Sequence, residues 1–336
     1  MAIYIFLYIF LFFCIFIKKN LGLYSLIYIM LLLIGGFRSM EVGTDTANYY
    51  EMYNIITEAP DGLNYILGFV EPGWVFINYL CGYFGGDYRY IVFIGVFLAM
   101  TPFFIRVWKS YKNPFTAIFF YMALYFYYNS FNTTRQMISI SIIIFSLYYL
   151  ELGKNKKFYL GVFIAMMFHY SSGICFMFPF LMKKIRLSIL GVSTALVLTY
   201  IGGIFIIPKI LQALPYIGRY GVYLIDGEGS GSITRLLLNV FFIFIFATSK
   251  NSKLKKYLTL FFVGIVAYNL SAFSTALGRI ALYFMCTQFL IFSTIDSTYK
   301  LNSYLLKLST FVYATFYYFT LLNANSGEIV PYAIWK

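Results

Sequence analysis

A single histidine in 336 residues rules out a multi-histidine metal centre. The four cysteines, Cys14, Cys81, Cys175 and Cys286, are scattered through apolar sequence. They have no metal-type spacing and suggest no disulfide framework. Walker-type glycine-rich loops, paired-cysteine zinc patterns and a Ser-His hydrolase elbow are all missing. So is strand-type alternation, which argues against an outer-membrane barrel. Charge is scarce: Asp, Glu, Lys and Arg make up 11% of the chain against 61% hydrophobic residues. With a mean hydropathy of +0.79, this excludes an ordinary soluble domain.

What is present is a succession of apolar runs of about 15 to 20 residues, the length of membrane-crossing helices. The expectation is an all-α polytopic membrane protein, one transmembrane domain over 1–336 with no linker and no repeat. The first run, 3–17, lacks a charged leading region and a small-residue cleavage site. It reads as a retained helix rather than a signal peptide.

Lys and Arg number 25 against 12 Asp and Glu, a net charge of +13. Seventeen of those 25 cations fall in six clusters between apolar runs. They are Lys18-Lys19; Arg106, Lys109, Lys112; Lys154, Lys156, Lys157; Lys183, Lys184, Arg186; Lys250, Lys253, Lys255, Lys256; and Lys300 with Lys307. With every cluster in the cytoplasm, the chain threads about 12 spans, within roughly 11 to 14, and both termini face outward. Topogenesis then explains most of the positive charge, and no nucleic-acid partner is called for. The spans run over 3–17, 21–37, 90–105, 114–130, 136–151, 158–170, 172–182, 187–206, 233–249, 257–273, 279–295 and 304–322. Arg38, Arg89, Arg135, Lys209, Arg219, Arg235, Arg279 and Lys336 fall at or near the outer side, with every acid except Glu151 and Asp296.

One run strains this thread. Residues 158–182 are long enough for one tilted helix, with lysines at both ends. A single span would send every later cluster outward. A broken hairpin turning at His169-Tyr170-Ser171-Ser172-Gly173 keeps them inside and is preferred; its turn must line a protein or water cavity. Two outer loops are long. The first, 38–89, holds an apolar stretch over 74–84 that reads as re-entrant or interfacial. The second, 208–232, carries a glycine tract that reads as flexible.

Several residues could carry chemistry. Gly43 and Thr44 suit a turn opening a helix, which would set Asp45 and Tyr49 on one face. A carboxylate beside a phenol can orient a sugar hydroxyl and take its proton; an acid in a first helical turn also favours the helix dipole. Arg135 and Gln136 stand where an outer turn becomes a helix. The arginine is either a phosphate clamp or a snorkelling anchor. Arg38 and Arg279 sit at equivalent depths. His169 is either a base or phosphate ligand, or a neutral histidine bonding a carbonyl at a helix break. Glu71 is a second carboxylate facing the site, or a solvated acid before a helix-starting proline.

Taken in order, these residues resemble a known family. Arg38…Val42-Gly43-Thr44-Asp45-Thr46…Asn48-Tyr49, Glu71-Pro72-Gly73, Asn132…Arg135-Gln136, Phe168-His169-Tyr170-Ser171-Ser172 and Gly278-Arg279 are similar to the EpsG-type polysaccharide polymerases, with which Wzy-like O-antigen and capsule polymerases are grouped. Ile329-Val330-Pro331-Tyr332 matches more weakly. The resemblance implies a GT-C-like helical architecture in a bacterial cytoplasmic membrane, with the site facing outward. It implies transfer of a growing glycan from undecaprenyl diphosphate to the terminal sugar of a lipid-linked repeat unit. Membrane lipid and a chain-length-regulating co-polymerase are the partners it suggests. In that class an early outer-loop acid is often catalytic, which falls on Asp45.

The chemistry agrees with this. Diphosphate is a good leaving group, so the protein must mainly hold it and neutralise developing charge. Arginines do this with no cofactor. Arg38, Arg135 and Arg279 are the expected diphosphate ligands, Arg219 and Arg235 secondary ones, and Tyr49 and Gln136 substrate contacts. Asp45, His169 and Glu71, in that order, are the candidate bases. The rivals are a lipid-linked oligosaccharide flippase, an O-antigen-ligase-type glycosyltransferase and an acyltransferase. A flippase needs ionisable groups along a path open to both faces, whereas here they gather near one.

Overall fold

The computed structural model describes residues 1–58, 70–184, 187–206, 232–249, 252–271, 275–298 and 304–335. Arg219, the 208–232 loop apart from Ser232, and part of the first outer loop lie outside the described residues. Among the described residues the regular elements are helical, and extended backbone pairs only at an isolated antiparallel bridge between Arg38 and Ile334. Backbone groups in lipid must be satisfied within their own segment, so an apolar chain of this kind is expected to fold as helices.

In chain order the helices are α1 Ala2–Cys14, α2 Leu21–Gly36, α3 Thr46–Glu58, α4 Pro72–Tyr83, α5 Tyr88–Ser110, α6 Pro114–Ala123, α7 Phe126–Asn132, α8 Thr134–Glu151 and α9 Asn155–Met166. After a 3-10 helix over Tyr170–Met177 come α10 Phe178–Lys184, α11 Ile189–Ile201, α12 Ser232–Thr248, α13 Ser252–Leu270, α14 Thr275–Met285, α15 Thr287–Thr298 and α16 Tyr304–Asn323. Side-chain caps fix several starts. Asn20 accepts the Leu23 N–H (2.9 Å) before α2, Asp87 the Arg89 N–H (2.8 Å) before α5, and Ser188 the Gly191 N–H (3.1 Å) before α11.

Four helical segments are long and apolar enough to cross a membrane: Tyr88–Ser110, Ile189–Ile206, Ala276–Ile295 and Tyr304–Asn323. Ala2–Cys14, Leu21–Gly36, Pro114–Ala123 and Ile233–Thr248 are apolar but shorter. The sequence led to an expectation of about 12 spans. Part of the difference is that continuous apolar runs break in the structure. Residues 114–130 split into α6 and α7 at Tyr125, which is left-handed at φ 70°. Residues 158–182 break at 167–169, between α9 and the 3-10 helix.

The sequence also reads as one domain, but the helices group into two compact units, Met1–Gly173 with Ala314–Lys336, and Ile174–Tyr313. In the first, charge is sorted between two ends. At one end Lys19 donates to the Trp108 carbonyl (2.6 Å) and stands 4.1 Å from the Trp108 ring centre, and Asn113 reaches the Ile15 carbonyl (2.6 Å). The clusters over 18–19, 106–112 and 154–157 belong to this end. Arg106, only 2% exposed, pairs there with Glu151. Removing one partner of such a pair strands the other, so Arg106→Ala is expected to cost about 3–5 kcal/mol. A fall in the melting temperature of the purified protein checks this. Replacing the pair by Met and Leu together should cost far less.

The second unit is tied by polar groups between helices. Asn239 of α12 and Asn269 of α13 exchange amide hydrogen bonds (3.0 and 2.9 Å), and Asn269 also donates to Thr199 of α11 (3.1 Å). In a lipid-facing bundle such bonds hold helices that apolar contacts alone do not.

Candidate functional site

The opposite end of the first unit is built around Glu71. Proline at the first position of α4 presets the helical φ and loses no hydrogen bond there. The residue before it is pushed to extended backbone, where Glu71 lies at φ −64°, ψ 136°. Its carbonyl accepts from Trp74 and Val75 (both 3.1 Å) and starts the helix, while its side chain makes no cap. Gly73 brings α4 against the end of α9: its N–H donates to the Met167 carbonyl at 2.7 Å, and a Cβ there would lie 2.6 Å from that oxygen. Each residue of Glu71-Pro72-Gly73 thus has a separate task. The glycine allows close approach, the proline starts the helix, and the acid is delivered to the end of α9.

At that end α9 tightens. Met167 and Phe168 donate three residues back, to Ile164 (3.1 Å) and Ala165 (3.0 Å), before the 3-10 helix begins. This turn presents His169, whose Nδ1 lies 2.9 Å from Glu71 Oε1; the Tyr170 N–H donates to the same oxygen at 3.3 Å. The other carboxylate oxygen, Oε2, accepts from the Arg135 guanidinium at the start of α8. Glu71, 5% exposed, is therefore shared between a guanidinium and an imidazole. Burial pushes its carboxyl up, but the His169 hydrogen bond and the Arg135 charge outweigh it, and the group lies below its ordinary 4.5.

The Arg135 guanidinium stands 5.8 Å from the ring centre of Tyr49, and Tyr49 packs on Trp74 at 5.3 Å. Burial raises the Tyr49 phenol, against the lowering by Arg135, and the nearby Asp45 charge adds to the rise. Tyr49 is thus held as a neutral phenol beside two charges. Asp45 is half-buried and stands just before α3 rather than in its first turn, accepting the Tyr49 N–H at its carbonyl (3.0 Å). The turn carrying it is braced from α7. Thr44 donates to Asn132 Oδ1 through its N–H (2.6 Å) and its hydroxyl (3.1 Å). Gly43, at φ +107°, has no room for a Cβ, which would meet the Phe131 carbonyl at 2.8 Å. Gln136, 2% exposed, is buried beside Arg135 on α8.

Arg38 departs from the expectation. It is 2% exposed, and its guanidinium donates to the carbonyls of Gly35 (2.6 Å) and Phe131 (3.1 Å). Burial lowers its guanidinium from the ordinary arginine value to about 10. Carbonyls near a helix C-terminus attract a cation, and Arg38 serves two such ends, of α2 and α7. Nη1 and Nη2 are thus spent on the scaffold. In the second unit, Arg279 lies exposed on α14, and Arg235 on α12 stands 4.9 Å from the Tyr268 ring centre. Among the described residues no three His, Cys, Asp or Glu side chains gather as a metal set.

A tail after α16 closes this end, a role the sequence did not show. Ser39 donates to the Ala333 carbonyl (2.8 Å), Trp335 to that of Phe37 (2.9 Å) and Gly43 to that of Glu328 (3.1 Å). Tyr4 of α1 donates to the Ile329 carbonyl (2.5 Å), which brings the start of the chain to the same end.

Compared with known protein families, residues 21–334 match the EpsG family. No curated protein and no solved structure matches the chain.

Proposed function

The chain belongs to the EpsG family, and from that premise we propose that it is a polysaccharide polymerase acting at the outer face of a bacterial cytoplasmic membrane. The donor is a growing glycan on undecaprenyl diphosphate and the acceptor is the terminal sugar of a lipid-linked repeat unit. The observation that carries the reading is the Glu71 carboxylate held between Arg135 and His169. It joins three of the family-like motifs at one point.

The acceptor hydroxyl attacks the anomeric carbon of the donor. The new glycosidic bond forms as the bond to diphosphate breaks, the hydroxyl proton passes to the protein, and undecaprenyl diphosphate leaves. Three bases were candidates. Glu71 is a poor one, because both its oxygens already accept hydrogen bonds and its carboxyl is held low. His169 suits the task better. When Nδ1–H is given to Glu71, the imidazole lone pair lies on Nε2, and Glu71 stabilises the imidazolium that forms. Asp45, a turn from Tyr49, orients the acceptor hydroxyl.

Arg135 is the guanidinium for the diphosphate. With His169 neutral, as a base must be before it acts, Glu71, Arg135 and His169 sum to no net charge. Once His169 takes the proton the group is cationic, as the leaving diphosphate gains charge. The decisive test is the purified protein in vesicles with lipid-linked repeat unit alone. A ladder of longer glycans is expected without added nucleotide. A ligase would need a separate acceptor, and a flippase would make no new bond; either outcome rejects the reading.

A further inference from the structure

Beyond the Glu71 cluster, the same end of the first unit holds a cavity of 590 Å³, within the roughly 300–1,000 Å³ typical of ligand pockets. Tyr88 stands between the two places. Its hydroxyl donates to the Thr46 carbonyl (2.9 Å) at the start of α3, and its ring meets Trp335 at 6.1 Å. Four rings line the cavity: Phe37, Tyr90, Phe93 and Trp335. Its polar rim is Asp87 with Arg89, joined through Arg89 Nε (2.8 Å) and Nη2 (2.5 Å) to Asp87 Oδ2. None of these residues belongs to the cluster assigned to the transfer step.

The lining discriminates among occupants. The apolar walls are aromatic, and among the described residues no aliphatic side chain lines this cavity. A phosphate needs uncompensated positive charge, but Asp87 neutralises Arg89. A sugar ring fits both features. Its C–H face is slightly positive and lies against the negative face of an aromatic ring. Its hydroxyls both give and take hydrogen bonds, and a carboxylate–guanidinium pair offers an acceptor and a donor side by side. Tyr90 is 60% and Phe37 53% exposed, so ring surface is open to a ligand.

We infer that this cavity is a saccharide subsite, holding glycan residues beyond those that react. The inference rests on the polymerase reading for its biological sense. Its evidence is separate, because binding is measured without turnover. Two glycans can supply such sugars, the growing chain or the incoming repeat unit.

The test uses the full chain purified in detergent and lipid-free oligosaccharides cut from the surface glycan of the source cell. Titration is expected to change the Trp335 emission, with no such change in Trp335→Phe. Tyr90→Ala removes an exposed ring, and Asp87→Asn keeps the α5 cap but breaks the charged pair. Each is expected to weaken binding on the order of tenfold, as loss of one good contact does. Unchanged affinity in both variants overturns the subsite, as does displacement of the oligosaccharide by undecaprenyl phosphate. Where the protein polymerises, shorter products from Tyr90→Ala at unchanged KM identify the growing chain, and a raised KM at unchanged length identifies the repeat unit. Oligosaccharide binding by a protein that makes no ladder would leave the subsite standing and reject the polymerase.

Discussion

Glu71→Gln is expected to cut polymer formation by roughly 10²–10⁴-fold, the range that positioned proton transfer supplies. The amide has nearly the shape of the carboxylate but none of its charge. It leaves the Arg135 guanidinium without its counter-charge and no longer stabilises a protonated His169. Loss of rate with little change in the amount of folded protein is the expected pattern, read by comparing ladder formation with detergent-solubilised yield. Full activity would remove Glu71 from the mechanism. The same variant has a pH signature. The folded-state carboxyl lies below its ordinary 4.5, so its pairing stabilises the protein above that value and is lost as pH falls through the lowered one. Wild-type melting temperatures should therefore drop below pH 4.5 more steeply than those of Glu71→Gln.

His169→Gln should be comparably severe, at about 10²–10⁴-fold. Glutamine can still donate to Glu71 but cannot take a proton at neutral pH. A structural histidine would tolerate this change; a base would not. His169→Gly sharpens the distinction, because added imidazole should restore part of its rate if a proton acceptor is what was lost. No rescue, together with an active His169→Gln, would return the base role to Asp45. In that case Asp45→Asn should carry the large loss instead.

How much of this was legible in the sequence depended on distance along the chain. The helical class was plain because lipid forces backbone satisfaction within each segment. Charge sorting in the first unit was visible because the clusters are local. The break at His169 was readable from a run of small and polar residues inside apolar sequence. Pairing was not readable. Glu71 lies 64 positions from Arg135 and 98 from His169, and no local pattern says that an acid before a proline will face either one. Arg38 was unreadable for the same reason: no local pattern says that the ends of two helices will engage its donors. Tyr125 carried no signal either, since a left-handed turn is ordinarily a place for glycine or asparagine. Pro102 lies within the expected span 90–105. It stands inside α5 without ending it, and the neighbouring Phe103 N–H finds Ser141 Oγ at 3.0 Å.

The tail at 325–335 bears on the order in which the protein is made. Phe37, Ser39 and Gly43 emerge from the ribosome early, yet their backbone partners Trp335, Ala333 and Glu328 are translated almost three hundred residues later. The Asp45 turn therefore waits, incompletely bonded, while the helices between are inserted. A nascent chain lacks these three backbone bonds until residues 328–335 have been made.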